Sequence, residues 1–239
     1  MPTTPTIDPL AEFDFICEFP LATGAFTELR RYVRHIHEFL PHASAQQAIR
    51  LEARLQNEAD PVAIGEIDYE LERINIDSQV SLPRLIWGGT LVTIFGAYEN
   101  SVTNAVRYWQ MITKHQNEFA KVGKRDVLKT VSQYSQSNIG VALFQTQQLE
   151  QAITELKCFR RSFAHGSGLL SDLPTDQAVA IRSKKHIGVS MLIDDGKWVA
   201  TERSAAYYLY HAEKASTQFG HAVLKNCIAH RRATQPPRG

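Results

Sequence analysis

The sequence has no CxxC pair, no Walker loop, no GxSxG elbow and no HExxH helix. Each absence removes a class of chemistry. Without paired cysteines, neither a zinc ribbon nor a dithiol redox motif is indicated. Without the other three motifs, the nucleotide-cradling, serine-hydrolase and zinc-protease signatures are all missing. The three cysteines, Cys17, Cys158 and Cys227, are far apart and odd in number. Such usage fits a reducing compartment, and a cytoplasmic protein is expected. No apolar run reaches the roughly 20 residues of a membrane span. The longest, in "RLIWGGTLVTIFGAYEN", is interrupted by glycines and ends at Glu99. The opening residues, "MPTTPTIDPLAEFDF", carry no basic leader and no long apolar core, so no secretory signal is expected. Charge of one sign is also lacking: 26 Lys and Arg stand against 25 Asp and Glu, for a net charge of +1. Nucleic-acid binding would therefore need a local basic patch rather than a global field.

What is present is material for a helical core. The 239 residues are 44% hydrophobic, enough for one large domain or two small ones. Prolines 2, 5, 9 and 20 predict an extended start. Phe26, Leu29, Val33, Ile36 and Leu40 then recur at helical spacing until Pro41. Further helices are expected over 43–57, after Pro61 (with Ile64, Ile67, Leu71 and Ile74 as the apolar face) and from Ser81 or Leu82, where Pro83 suits a first turn. This last helix is expected to be long and central. A short helix follows Lys124, with Gly140 as a break. Another starts near Thr146. In "IGVSMLIDDGKWVAT", alternating residues flank a "DDG" turn, which reads as a β-hairpin. A final helix over 204–230 precedes a basic, proline-bearing tail. The expected architecture is mainly α, a helical bundle with one small β-hairpin near the C-terminal helix. Residues 1–82 form an N-terminal tail and helical lobe, 83–230 the main helical domain, and 231–239 a disordered basic tail.

The stretch "CFRRSFAHGSG", residues 158–168, carries the chemistry. On a helix from Thr146 to His165, Leu149, Ala152, Ile153, Leu156, Phe159 and Phe163 make one apolar stripe. Arg160 falls within about 50° of the stripe's centre. A guanidinium there keeps its charge and needs a carboxylate, a phosphate or carbonyls as partner. Arg161 lies on the far side, one turn before His165. His165 closes the helix, where carbonyl dipoles favour imidazolium. Arginine can fork onto non-bridging phosphate oxygens, and histidine can move a proton to or from a ribose hydroxyl. No metal or other cofactor is called for by these groups.

"FRRSFAHGSGLL" resembles the signature of the HEPN superfamily, the higher eukaryote and prokaryote nucleotide-binding domains: an arginine, four intervening residues and a histidine, here Arg160 and His165. Arg161 stands where a small polar residue is common. Upstream, "GGTLVTIFGAYENSVTNAVRYW" is similar to the long helix that precedes the motif helix in that superfamily, with Tyr98–Glu99 as its aromatic–acidic pair. The resemblance spans roughly Pro83 to Cys227. It implies a HEPN-like bundle that pairs two motif helices in one cleft of a homodimer. It also implies a metal-independent endoribonuclease of a bacterial defence or toxin–antitoxin type, with RNA as substrate and an antitoxin or other defence-system protein as partner. Arg160 and His165 would be catalytic, with 2′-hydroxyl attack giving a 2′,3′-cyclic phosphate. Glu99, Arg161 and Ser167 would support them, and Arg182, Lys184 and Lys185 of "RSKKH" would guide RNA. The same residues also fit a non-catalytic RNA- or nucleotide-binding module, or a structural dimerisation domain. His35, His37 and His42 are no metal site by spacing, since positions two apart face different sides of a helix.

Overall fold

The computed structural model describes residues 20–42, 44–115, 126–166, 174–182, 187–191 and 198–234. These are mainly helical, as the periodicity predicts. Helix α1 (Pro20–Phe39) passes into a 3-10 turn, Leu40–His42, which holds Pro41. Then follow α2 (Ala45–Leu55), α3 (Pro61–Ile76), α4 (Leu82–Thr113), α5 (Val127–Tyr134), α6 (Gln147–Gly166), α7 (Thr175–Arg182) and α8 (Glu202–Thr234). Between α7 and α8, β1 (Ser190–Met191) pairs antiparallel with β2 (Trp198–Val199), Ser190 opposite Val199 and Met191 opposite Trp198. The expected "DDG" turn lies outside the described residues.

The sequence signals act where physics puts them. All five of the spaced residues Phe26, Leu29, Val33, Ile36 and Leu40 are buried. Asp60 caps α3 by accepting from the Val62 N–H at 3.0 Å, with Pro61 in the first turn. Thr146 accepts from the Leu149 N–H at 3.3 Å and opens α6. Gly140, at φ 75°, takes the left-handed conformation that ends the π turn Ser135–Ile139.

Two boundaries differ from expectation. Pro83 does not follow a break, because a π turn, Asp77–Ser81, joins α3 to α4. There the Leu82 N–H reaches back five residues to the Asp77 carbonyl. A proline lacks an N–H and presses on the carbonyl four residues before it. A widened turn at that point lets the helix continue. By length and composition the joined helix, Pro61–Thr113, is able to cross a membrane. At the other end, α8 runs on to Thr234, so Arg231 and Arg232 lie in its last turn instead of a disordered tail. Cations there suit the carbonyl end of a helix.

The chain divides into two compact units that interleave along the sequence. Unit 1 draws on 1–28, 94–153 and 210–239, and unit 2 on 29–93 and 154–209. In unit 1, Ile94, Phe95, Tyr98, Val102, Val106, Val131, Ala212, Phe219 and Val223 are fully buried. Ser101 and Ser216 are hydrogen-bonded inside that core. Tyr98 stacks on Phe144, their ring centres 6.5 Å apart. At the end of α4, Lys114 is left-handed at φ 52°, and the His115 N–H closes on the Gln110 carbonyl at 3.2 Å. This double-back is a Schellman-type stop. It lays the His115 ring 5.1 Å from Trp109 and within 3.3 Å of the Asn138 side-chain oxygen.

Candidate functional site

The C-terminal half of α6 belongs to unit 2 and is held there on several sides. Phe159 is fully buried, with the Trp198 ring 4.8 Å away edge-on and Tyr208 at 5.4 Å. The Trp198 indole N–H donates to the Ser162 hydroxyl at 2.8 Å. The Tyr208 hydroxyl donates to the Glu155 carboxylate at 3.0 Å. Phe163 contacts Trp198 at 6.0 Å and fills the space that a β-carbon at Gly88 would take. Gly88 is thus needed for the close approach of α4 to the motif helix. Together these contacts fix the rotation of α6 about its axis, and hence the direction in which the backbone presents Arg160 and Arg161.

Glu155, Cys158 and Ser162 are buried, as are Leu149, Ala152, Ile153, Leu156 and Phe159 of the apolar stripe, while Phe163 is half-buried. That widens the buried sector to one side of Phe159 and leaves Arg160, about 100° round the helix, at its margin. Arg160 is accordingly half-buried and Arg161 exposed. His165 lies in the last turn of α6, one turn beyond Arg161 along the backbone. The rise from Arg160 to His165 is about 7.5 Å. No description extends to the His165 side chain.

Burial raises the Cys158 thiol above its ordinary range, with Asp176 and Glu155 adding to the shift and Lys157 and Arg161 opposing it. A buried thiol of that kind is a poor nucleophile. Burial also raises the Tyr208 hydroxyl, and the neighbouring Glu155 charge raises it further. Tyr207 is raised by the same two causes, burial first. These hydroxyls remain protonated donors at neutral pH.

The other expected residues are distributed as follows. Glu99 is half-buried on α4, in unit 1, next to the fully buried Tyr98. Arg182 is the last residue of α7, and its side chain is outside the description. Ser167, Lys184 and Lys185 lie outside the described residues. His37 pairs with Glu202 at 2.7 Å and His35 with Glu38 at 3.6 Å. Among the described residues no group of three or more His, Cys, Asp or Glu is placed to hold a metal ion.

Periodicity alone does not reveal the Glu155–Tyr208 and Ser162–Trp198 pairs. Their one sequence signal is polar residues on the buried side of a helix that also carries aromatics. No family model, no curated protein and no solved structure matches the chain.

Proposed function

We propose that the protein is a metal-independent endoribonuclease of the HEPN type, acting as a homodimer on RNA, with Arg160 and His165 as its catalytic groups. The observation that carries this reading is a half-buried arginine on a rotationally locked helix whose last turn holds a histidine. A fixed guanidinium of this kind can hold a phosphodiester's non-bridging oxygens and offset charge growing on them. Histidine serves as the proton carrier: it takes the proton from the 2′-hydroxyl or gives one to the leaving 5′-oxygen. The P–O bond to the 5′-oxygen breaks as the 2′-oxygen bonds to phosphorus, which leaves a 2′,3′-cyclic phosphate. Arg161, exposed one turn before His165, is suited to a second phosphate. Glu99, Ser167, Arg182, Lys184 and Lys185 are assigned supporting and RNA-guiding roles. An antitoxin or other defence protein would restrain the activity.

The test uses end-labelled total and transfer RNA, incubated in excess EDTA with wild type, His165→Ala or Arg160→Ala. Wild type cuts, and each variant is slower by about 100-fold or more while keeping its helical circular dichroism. Equal cutting by wild type and His165→Ala contradicts the assignment. Salt-sensitive retention of uncut RNA by wild type would instead identify a binding module.

A further inference from the structure

The last helix carries a line of cations that neither the motif helix nor the core uses. From Lys214 to Thr234, α8 holds Lys214, His221, Lys225, His230, Arg231 and Arg232 and no aspartate or glutamate. At about 100° per residue, Lys214, His221, Lys225 and Arg232 fall within about 20° of one line. All four are exposed. The line is about 27 Å long, with intervals of about 10.5, 6 and 10.5 Å. Ala212, Ser216, Phe219, Val223 and Cys227 lie on the opposite side of the helix and are buried in unit 1. That packing fixes the rotation of α8 and turns the cationic line to solvent.

Helix chemistry alone does not account for the line. Cations in the last turn offset the carbonyl end of a helix, which covers Arg231 and Arg232. Lys214, His221 and Lys225 stand more than two turns before that end, where the effect has faded. Lys214 and Lys225 form no ion pair among the described residues, and no carboxylate stands three or four positions from either. Like charges in line repel, so the arrangement suits an anionic ligand that runs along it. At its near end the Lys214 ammonium lies 5.6 Å from the centre of the Tyr210 ring, which is 57% exposed. An exposed ring beside a cation can stack a base while the phosphate is held. A bilayer would need apolar side chains beside the cations, and from Lys214 onward no large apolar residue of α8 is exposed. A polynucleotide needs none, because Lys and Arg bind its phosphates by charge.

We infer that this face of α8 is a second nucleic-acid surface, on which Lys214, Lys225 and Arg232 hold phosphate groups of one RNA strand. His221 adds a hydrogen-bond donor between them, and Tyr210 stacks a base. A net charge of +1 gives the whole chain no pull on RNA, so attraction comes from local lines of charge such as this one. The assignment rests on the proposed function only in taking RNA as the ligand. It adds a place that binds the strand and takes no part in cutting it.

The experiment is fluorescence anisotropy of a labelled 2′-O-methyl oligouridylate with the full chain, titrated at several salt concentrations. This probe has no free 2′-hydroxyl and stays uncut. Wild type is expected to bind it, with affinity falling as salt rises. Lys214→Gln with Lys225→Gln weakens binding about tenfold or more, and makes the slope of log affinity against log salt shallower by about 1.4. Lys214→Arg with Lys225→Arg keeps the wild-type affinity. Arg50→Gln with Arg54→Gln removes the same charge from exposed positions on α2 and changes the affinity by no more than about twofold. All these side chains are exposed, so each variant keeps the wild-type helical circular dichroism. No binding by wild type, undiminished binding by the glutamine variant of Lys214 and Lys225, or an equal loss in the α2 variant overturns the inference. Undiminished RNA binding joined to lost binding of phosphatidylserine vesicles would mark a membrane surface instead. Cleavage of natural RNA in excess EDTA, by wild type and His165→Ala, tests the ribonuclease reading separately. Lysine-dependent binding without cleavage upholds this surface and overturns that reading, and cleavage with no effect of the lysines does the reverse.

Discussion

The two units treat a fully buried tyrosine hydroxyl differently. In unit 2 the buried Tyr208 hydroxyl donates to Glu155, and the buried Trp198 indole donates to Ser162. In unit 1 the Tyr98 hydroxyl and the Gln218 side-chain oxygen are buried with no hydrogen-bond partner among the described residues. Both tyrosines are fully buried, yet only one is fixed by a directional bond. The motif helix lies on the satisfied side of this contrast. A polar network with its donors and acceptors matched specifies one arrangement, whereas an unmatched hydroxyl only costs desolvation energy.

Mutations in unit 2 are therefore expected to cost most. Trp198→Ala removes the ring that packs against Phe159 and Phe163 and the donor to Ser162. A loss of about 3–5 kcal/mol in urea unfolding is expected, together with loss of RNA cleavage. Next, Gly88→Ala drives a methyl into the Phe163 ring, for about 1–3 kcal/mol. Tyr208→Phe deletes one donor to Glu155 and costs about 1.5–3 kcal/mol, as for a bond to a charged group. Tyr98→Phe, by contrast, is expected to cost nothing and to gain up to about 1 kcal/mol, since it removes a buried hydroxyl that has no partner among the described residues. If the two tyrosine substitutions had equal effects, the contrast between the units would fail.

Alkaline pH sharpens the same comparison. Burial raises Tyr98 and Tyr208 above the ordinary tyrosine value, and Glu155 adds to the shift at Tyr208. A raised folded-state value means that the folded chain holds protons which the unfolded chain releases near pH 10. The contribution is complete below that pH and is lost as pH rises towards the folded values. Urea midpoints are expected to fall above about pH 10, and to fall less steeply in the Tyr98→Phe, Tyr208→Phe double variant. Of all these effects, thiol labelling of the native protein should change least. Cys227 is buried and its thiol pushed up to about 12, and Cys158 is raised mainly by burial. Both are expected to react with a thiol probe only on unfolding.

Much of the fold was legible because helices announce themselves by spacing. The stripes on α1, α3 and α6 read directly from residues three and four apart, and Gly140 and Thr146 mark a stop and a start through local backbone chemistry. The π turn before Pro83 was not legible, since a proline at that position equally suits a new helix or a widened one. Nor was the division into units, because α1, α4, α6 and α8 each contribute to both. At the site, Arg160, Arg161 and His165 were found as a linear motif on one helix. Glu155 and Ser162 were not, because their burial depends on Tyr208 and Trp198, partners 53 and 36 residues away in sequence.

The central claim, that α6 carries a metal-free phosphodiester-cleaving site, is tested most directly by end-group analysis of RNA cut in excess EDTA. Fragments made by wild type and ending in a 2′,3′-cyclic phosphate, absent with His165→Ala, are the expected result. Fragments ending in a 3′-hydroxyl, or the same cyclic ends at undiminished yield from His165→Ala, would contradict it.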